Sequence, residues 1–448
     1  MLAKLIRTII VFSFTGAIAF AQTNLSLNDC KNLALKNNAK IKNAKLDIKA
    51  SQEVKDAAYT KYFPNASFNM TYVHALDDLI QMTQKGGNLP VYDGNPANLQ
   101  HPTQFAYMPD TKLSLIDKVF DASIMVTQPI YAGGRISAGN ELADIGVEIN
   151  KSQLSIQQNN ILQKTEELYW THINLLEKTN TILFYENFLK TLLKDVNSAY
   201  NAGLIGKNDV LKVSLKLNEL KINQVKLNNA ISLTKEALCQ HIGIDYDPNI
   251  RLSDTTMDIK SPEEYFKNPD NAIQDRHEMK MLNSAVKAEA LQTEMTKGEL
   301  LPEIGGGMIL DYMNIMDKGI FNCILFAKVS VPITGWWEGS HKVEEKKIKE
   351  EMIRITKNET SELLKVQMSK TWKDLSEAFN QIKLGEDMEK QAQENFKVNE
   401  SNYKSGMISI SDYLEAQAAL REAQDQITEF KTNYKIALAN YLISTGAY

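Results

Sequence analysis

The sequence predicts a mainly α-helical fold made of two tandem copies of one unit, each a β-hairpin of membrane-spanning length followed by a pair of long coiled-coil helices. Three observations carry that prediction. A turn motif recurs at a fixed offset, segments next to prolines that recur in both copies alternate apolar and polar residues, and the segments beyond them carry an apolar residue every seventh position.

The repeat organises everything else. YNAGLIGKNDVLKVSLKLNEL (Tyr200–Leu220) aligns with YKSGMISISDYLEAQAALREA (Tyr403–Ala423) at an offset of 203, matching Tyr200 with Tyr403, Gly203 with Gly406, Asp209 with Asp412 and Leu217 with Leu420. The same offset relates Pro129 to Pro332 and Gly243 to Gly446, so 115 residues align without a gap. Pro64 and Pro302 pair at 238 instead, which places 35 extra residues of the first copy between its two prolines. They read as an insertion in one loop.

Along the chain, Leu5–Ala21 is the one stretch that approaches membrane hydrophobicity; with Lys4 before it and Ala19-Phe20-Ala21 at its end, residues 1–21 read as a cleaved secretory signal peptide. Cys30 lies nine residues beyond Ala21 within a helical pattern, so lipidation is not expected. At 23% charged residues and a mean hydropathy of −0.31 the chain is not a polytopic helical transporter. Without Lys4 and Arg7 it carries 48 basic against 55 acidic residues, a net −7 that argues against nucleic-acid binding. Cys30, Cys239 and Cys323 have no paired spacing and read as reduced, buried thiols rather than a disulfide framework.

The first copy spans 22–243. It opens with an amphipathic helix, Asn28–Tyr62, capped by Asn28 or Asp29. After Pro64 the period becomes two: Phe68, Met70 and Tyr72 alternate with polar residues, as do Ala122, Ile124 and Val126, giving a β-hairpin over about 65–130. Residues 76–118, rich in Gly, Pro and Asn, read as a long exposed loop. The helical hairpin 135–243 follows, with a heptad ladder at Leu154, Ile161, Leu168, Leu175, Ile182, Leu189 and Val196, a tip at 200–209 and a return helix bearing Val213, Leu217, Leu220, Leu227, Ile231 and Leu238.

Residues 244–270 form a linker, and 271–448 repeat the plan with a hairpin at 304–331, helices over 336–443 and a tip at 403–412. In that hairpin Phe321, Cys323, Leu325, Ala327 and Val329 share a face opposite Asn322 and Lys328. Helix lengths also fit: a 65-residue helix spans about 100 Å, and the shorter helices stacked in pairs match it. Four strands cannot close a membrane barrel, whose minimum is about eight, so the strands demand further chains, and three would supply twelve.

These residues resemble the TolC family of outer-membrane efflux and secretion channels over nearly all of the mature chain. LSLNDCKNLALKNNAKIKNAKLDIKASQ followed by YFPNASFN is similar to the family's opening helix and first strand, and the YxxGxxxxxD turn, present twice, is similar to its helix-hairpin tip. The resemblance implies a homotrimer in the outer membrane, a twelve-stranded β-barrel continued by a twelve-helix periplasmic α-barrel. It implies passive conduction, a periplasmic adaptor protein as partner, and an inner-membrane pump of RND or ABC type. Adaptor-contact positions would be Gly203, Leu204, Ile205, Gly406, Met407 and Ile408. Entrance positions would be Asp209, Tyr403, Ile408, Asp412 and Glu415, with Asp412 and Glu415 forming acidic rings that favour cations. Ile408 stands where some members carry a locking arginine, so closure would rest on Tyr403 and packing of Ile408.

Other readings stay beside these. Asp209 and Asp412 also fit helix N-caps. Trp336 and Trp337 fit either interfacial anchors or packing at a barrel–helix junction marked by Pro64, Pro129, Pro302 and Pro332. Six scattered histidines lack metal-ligand spacing, and Gly305–Gly307 belongs to a strand rather than a phosphate loop, so no metal, cofactor or enzyme activity is expected. A periplasm-spanning scaffold or adhesin stalk would explain heptads and signal peptide but not two matched hairpins.

Overall fold

The structure is a computed structural model that describes residues 24–77, 79–116, 118–254, 259–315 and 318–448; the signal peptide read at 1–21 lies outside them. In chain order the elements are β1 (Asn24–Leu25), α1 (Leu27–Asn37), α2 (Ala39–Tyr59), β2 (Asn65–His74), β3 (Ile80–Gln84), β4 (Gly87–Val91), β5 (Gln104–Met108), β6 (Thr111–Ile116), β7 (Lys118–Ala132), α3 (Arg135–Asn201), α4 (Lys207–Ile242), β8 (Arg251–Leu252), α5 (Pro269–Ala272), α6 (His277–Gly298), β9 (Glu303–Ile315), β10 (Lys318–Ser330), α7 (Gly335–Lys404) and α8 (Ile410–Ser444). No described helix is long and apolar enough to cross a membrane. Two compact units draw on both copies of the repeat: residues up to 47, 150–281 and 357–448 form a helical one, and 48–149 with 282–356 form one built around a sheet.

In the helical unit the heptad positions are the core. Ile161, Ile182, Leu189 and Val196 of α3 are buried, with Leu154, Leu168 and Leu175 packed against them, and Val213, Leu217, Leu220 and Leu227 of α4 are buried opposite. Burying such a ladder is what holds a long helix that propensity alone would leave marginal. One polar group enters the core with every need met: Glu166 pairs with Lys31 at 2.6 Å and accepts hydrogen bonds from Trp170 Nε1 (2.7 Å) and the Tyr448 hydroxyl (2.6 Å).

The opening helix is two helices. Ser26, not Asn28 or Asp29, is the cap of α1, with Asp29 returning a hydrogen bond to the Ser26 backbone. Asn38 then breaks the helix: its side chain donates to the His241 carbonyl at 2.8 Å and accepts from Lys40 N, starting α2. The chain end of α4 crosses so close here that a Cβ on Gly243 would lie 2.6 Å from that of Asn37. The second copy breaks at the equivalent position, 238 residues on, where Arg276 donates to the carbonyls of Ile443 (3.1 Å) and Ser444 (2.7 Å) at the end of α8. Each copy thus ties its first helix to the last carbonyls of its own return helix, satisfying groups a helix end leaves orphaned.

In the sheet unit the strand order is β10-β9-β7-β2, antiparallel throughout, with β10 and β2 as open edges. The segment read as a loop at 76–118 is a two-tiered ribbon instead: β3 pairs with β6 and β4 with β5, and Asp93 accepts from Thr103 and Asn98 near its far end. Its strands escaped notice because glycines, prolines and asparagines interrupt any period of two.

Candidate functional site: the hairpin tips and the two-faced sheet

The tips arise from the repeated glycine. Gly203 and Gly406 have φ of +76° and +71°, and the following N–H groups, of Leu204 and Met407, donate to Ala199 O and Asn402 O, both at 2.9 Å. Only a residue without Cβ adopts that left-handed turn cheaply, and it closes the last carbonyls of α3 and α7 in the same way. Leu204 (77%) and Met407 (67%) are left exposed at the two apices, whereas Ile205 and Ile408 turn inward and pack on one shared core with Val210 and Leu193.

Neither aspartate is an N-cap. The cap of α4 is Gly206, which offers no side chain, and Asp209 sits in the first turn with Lys212 Nζ 3.8 Å away. The cap of α8 is Ser409, and Asp412 is its partner in a capping box: the Ser409 hydroxyl donates to Asp412 Oδ2 at 2.7 Å and the Ser409 N–H at 3.1 Å. Those two donors hold the Asp412 carboxyl below the usual carboxylate range. Asp412 and Glu415 are exposed, one turn apart.

Tyr403 is half-buried. Its ring stacks on Tyr413 at 4.7 Å, Tyr413 stacks on Phe396 at 5.7 Å, and Phe188 meets both of those edge-on. Burial pushes the Tyr403 phenol up and the Tyr413 phenol up to about 12, so both stay neutral. Sequence reasoning missed this cluster: its members come from α3, α7 and α8, and only helix pairing gathers them.

The sheet defines two surfaces of unequal polarity, one apolar and one mixed. The register aligns Phe68 with Ile124, Leu310 and Cys323, and Met70 with Ala122, Tyr312 and Phe321, so one face is apolar across all four strands. The opposite, more polar face carries Asn69, Ser123, Asp311 and Asn322 in one row, with Met125, Ile309 and Ile324 beside Ser67 in the next. The apolar face is bare: Phe68, Met70, Phe321 and Leu325 are 63–77% exposed. Cys323 lies on it, exposed, whereas Cys30 and Cys239 are buried and all three thiols are free. A sheet in water buries its apolar face, so this one is suited to a solvent that is itself apolar.

At the base of the sheet a β-bulge lies between Pro129 and Tyr131, where proline removes a ladder donor. Pro64 immediately precedes β2, and Pro302 and Pro332 flank β9 and β10. Trp336 Nε1 donates to the Leu300 carbonyl at 2.9 Å and Trp337 is 79% exposed, so the two tryptophans divide the roles between them: one fastens the junction, the other is bare. His172 is buried against Thr234, and no group of metal-ligating side chains occurs among the described residues.

Residues 268–446 match the family model described as outer membrane efflux protein. No curated protein matches the sequence. Among solved structures, the chain is similar to the Campylobacter jejuni CmeC outer membrane channel, with a TM-score of 0.75 at 14% identity, covering 94% of this chain and 85% of that one. It is similar to the Vibrio cholerae outer membrane protein VceC (TM-score 0.72, 12% identity, 94% and 96% covered) and to the open state of the Neisseria gonorrhoeae MtrE outer membrane channel (0.73, 11%, 94% and 88%). At such identities these likenesses establish a shared fold.

Proposed function

We propose, from the premise that residues 268–446 belong to the outer membrane efflux protein family, that the whole chain is one protomer of an outer-membrane exit duct that conducts solutes passively. The observation that carries the reading is the two-faced, four-stranded sheet with two open edges. Each unpaired backbone group in hydrocarbon costs several kcal/mol, so such a sheet enters a bilayer only inside a closed ring. Because the strands alternate in direction, β2 of one chain and β10 of the next run antiparallel and pair head to tail. Three chains give twelve strands, with the apolar face toward lipid and the polar face lining the pore.

The helices support the same assembly. Leu211, Leu215, Ile222 and Val225 of α4, and Ile348, Met352, Ile355, Leu363 and Val366 of α7, are exposed at spacings of three, four, seven and eight residues, stripes of the kind a neighbouring helix covers. Exposed Leu204 and Met407 offer an apolar contact to the hairpin of a periplasmic adaptor, itself coupled to an inner-membrane pump. Asp412 and Glu415, tripled, would place carboxylates around the entrance and favour cations there. A non-conducting stalk would need the heptads but has no use for a sheet with one polar and one bare apolar face.

The test is the native mass of the full chain, extracted in mild detergent from outer-membrane fractions. Three copies per particle are expected. A monomer, or recovery from the soluble periplasm, would leave the sheet edges unpaired and sink the proposal.

A further inference from the structure

We propose that the base of the polar sheet face holds a binding site for an anionic amphiphile, a molecule with a carboxylate or sulfate head and a hydrocarbon body. The site deepens the pore reading, because it lies on the face assigned to the lumen. A cavity of about 910 Å³ opens there, within the size range of small-molecule sites. Phe63, Phe326 and Met295 line it, and Lys61 and Lys328 stand on the same lining.

The apolar floor lies over the glycine run of β9, which the close approach of β7 also requires, since a Cβ on Gly307 would fall 2.4 Å from the Val126 carbonyl oxygen. Phe326 is paired with Gly307 across the ladder, and a Cβ on Gly307 would fall 2.6 Å from the Phe326 ring. Glycine there leaves room for the ring, which extends the apolar row of Met125, Ile309 and Ile324 on the same face. Phe63, 52% exposed, supplies apolar surface at the opposite side of the sheet, before β2.

Charge selects the head group. The lining contains four charged residues, and two of them, Arg135 and Glu303, are paired with each other. Lys61 and Lys328 are exposed and have no ion pair among the described residues. The lining is therefore cationic by two charges, whereas Asp121 and Asp311 lie farther along the same face. An apolar floor beside two uncompensated ammonium groups fits a hydrocarbon chain that ends in an anion. A cationic amphiphile would be repelled, and a neutral one would gain only the floor.

The experiment uses the full-length protein in lipid nanodiscs with Phe326→Trp as reporter, titrated with 11-bromoundecanoate and with the neutral 11-bromoundecanol. The acid should quench the added fluorescence at concentrations at least tenfold lower than the alcohol. Lys61→Glu combined with Lys328→Glu should abolish that preference, and Lys61→Gln with Lys328→Gln should do the same where charge reversal prevents folding. Equal quenching by acid and alcohol, or an acid preference unmoved by either pair of substitutions, would overturn the site. Conductance of the same preparation in planar bilayers is read separately: a protein that shows the charge-dependent quenching yet never conducts keeps the site and refutes the pore.

Discussion

The two hairpin tips share a backbone and differ in what fastens it. Both turn on a left-handed glycine with the same pair of closing hydrogen bonds. Beyond that turn the first tip begins its return helix on bare Gly206, with Val210 and Leu193 as its aliphatic packing. The second begins on a full Ser409–Asp412 box, and Tyr413 and Phe396, the residues aligned with Val210 and Leu193, are joined by Tyr403 in an aromatic stack. Duplication preserved the geometry that the chain reversal requires, while the fastening of the helix start diverged into one loosely and one firmly held end. If a hairpin moves in the proposed duct, the first tip is the one with less to break.

The largest test of that difference is Tyr413→Ala. It removes a buried ring contacting three others and should cost about 3–5 kcal/mol. Hydrogen exchange of amides around 403–413 should rise steeply, whereas Val210→Ala should loosen 200–210 far less. Equal effects would erase the contrast. Next come Gly203→Ala and Gly406→Ala, each forcing a side chain into the left-handed region at about 1–2 kcal/mol; because the turns are alike, local exchange should speed up by the same factor at both tips.

The smallest effect depends on pH. The Asp412 carboxyl is held below its ordinary value of about 3.9 by the Ser409 donors, so its contribution is complete above that value and disappears as pH falls through the lowered one. Asp412→Asn should therefore raise exchange at the start of α8 at pH 7, and wild type should converge on the variant as pH falls through the lowered value.

How much of this was legible in the sequence follows from how local each signal is. The heptads of α3 and the turn at Gly203 and Gly406 were legible because periodicity and a repeated left-handed glycine need no knowledge of neighbours. The breaks at Asn38 and Arg276 were not, since either residue is at home in a helix and only the carbonyls arriving from α4 and α8 make it leave. The alternation in β2 and β10 read correctly, yet Ile324 and Phe326 blurred it; register explains Phe326, whose ring needs Gly307 across the ladder. At the tips, the resemblance proposed Asp412 and Glu415 and left N-capping open for Asp209 and Asp412, and neither aspartate is a cap. A cap and the third residue of a capping box differ by three positions, and Ser409 resolves them only when its hydroxyl is seen to face Asp412.

The open edges of β2 and β10 also set the order of events in biogenesis. A lone chain presents two complementary strand borders, and neither can enter hydrocarbon unpaired without heavy cost. For the proposed ring, insertion and oligomerisation would then be a single reaction, whose rate would rise as a high power of the concentration of protomers. The same borders, met in the wrong number, would propagate as ribbons instead of closing. Scarcity of free protomers in transit is thus itself a safeguard of the fold.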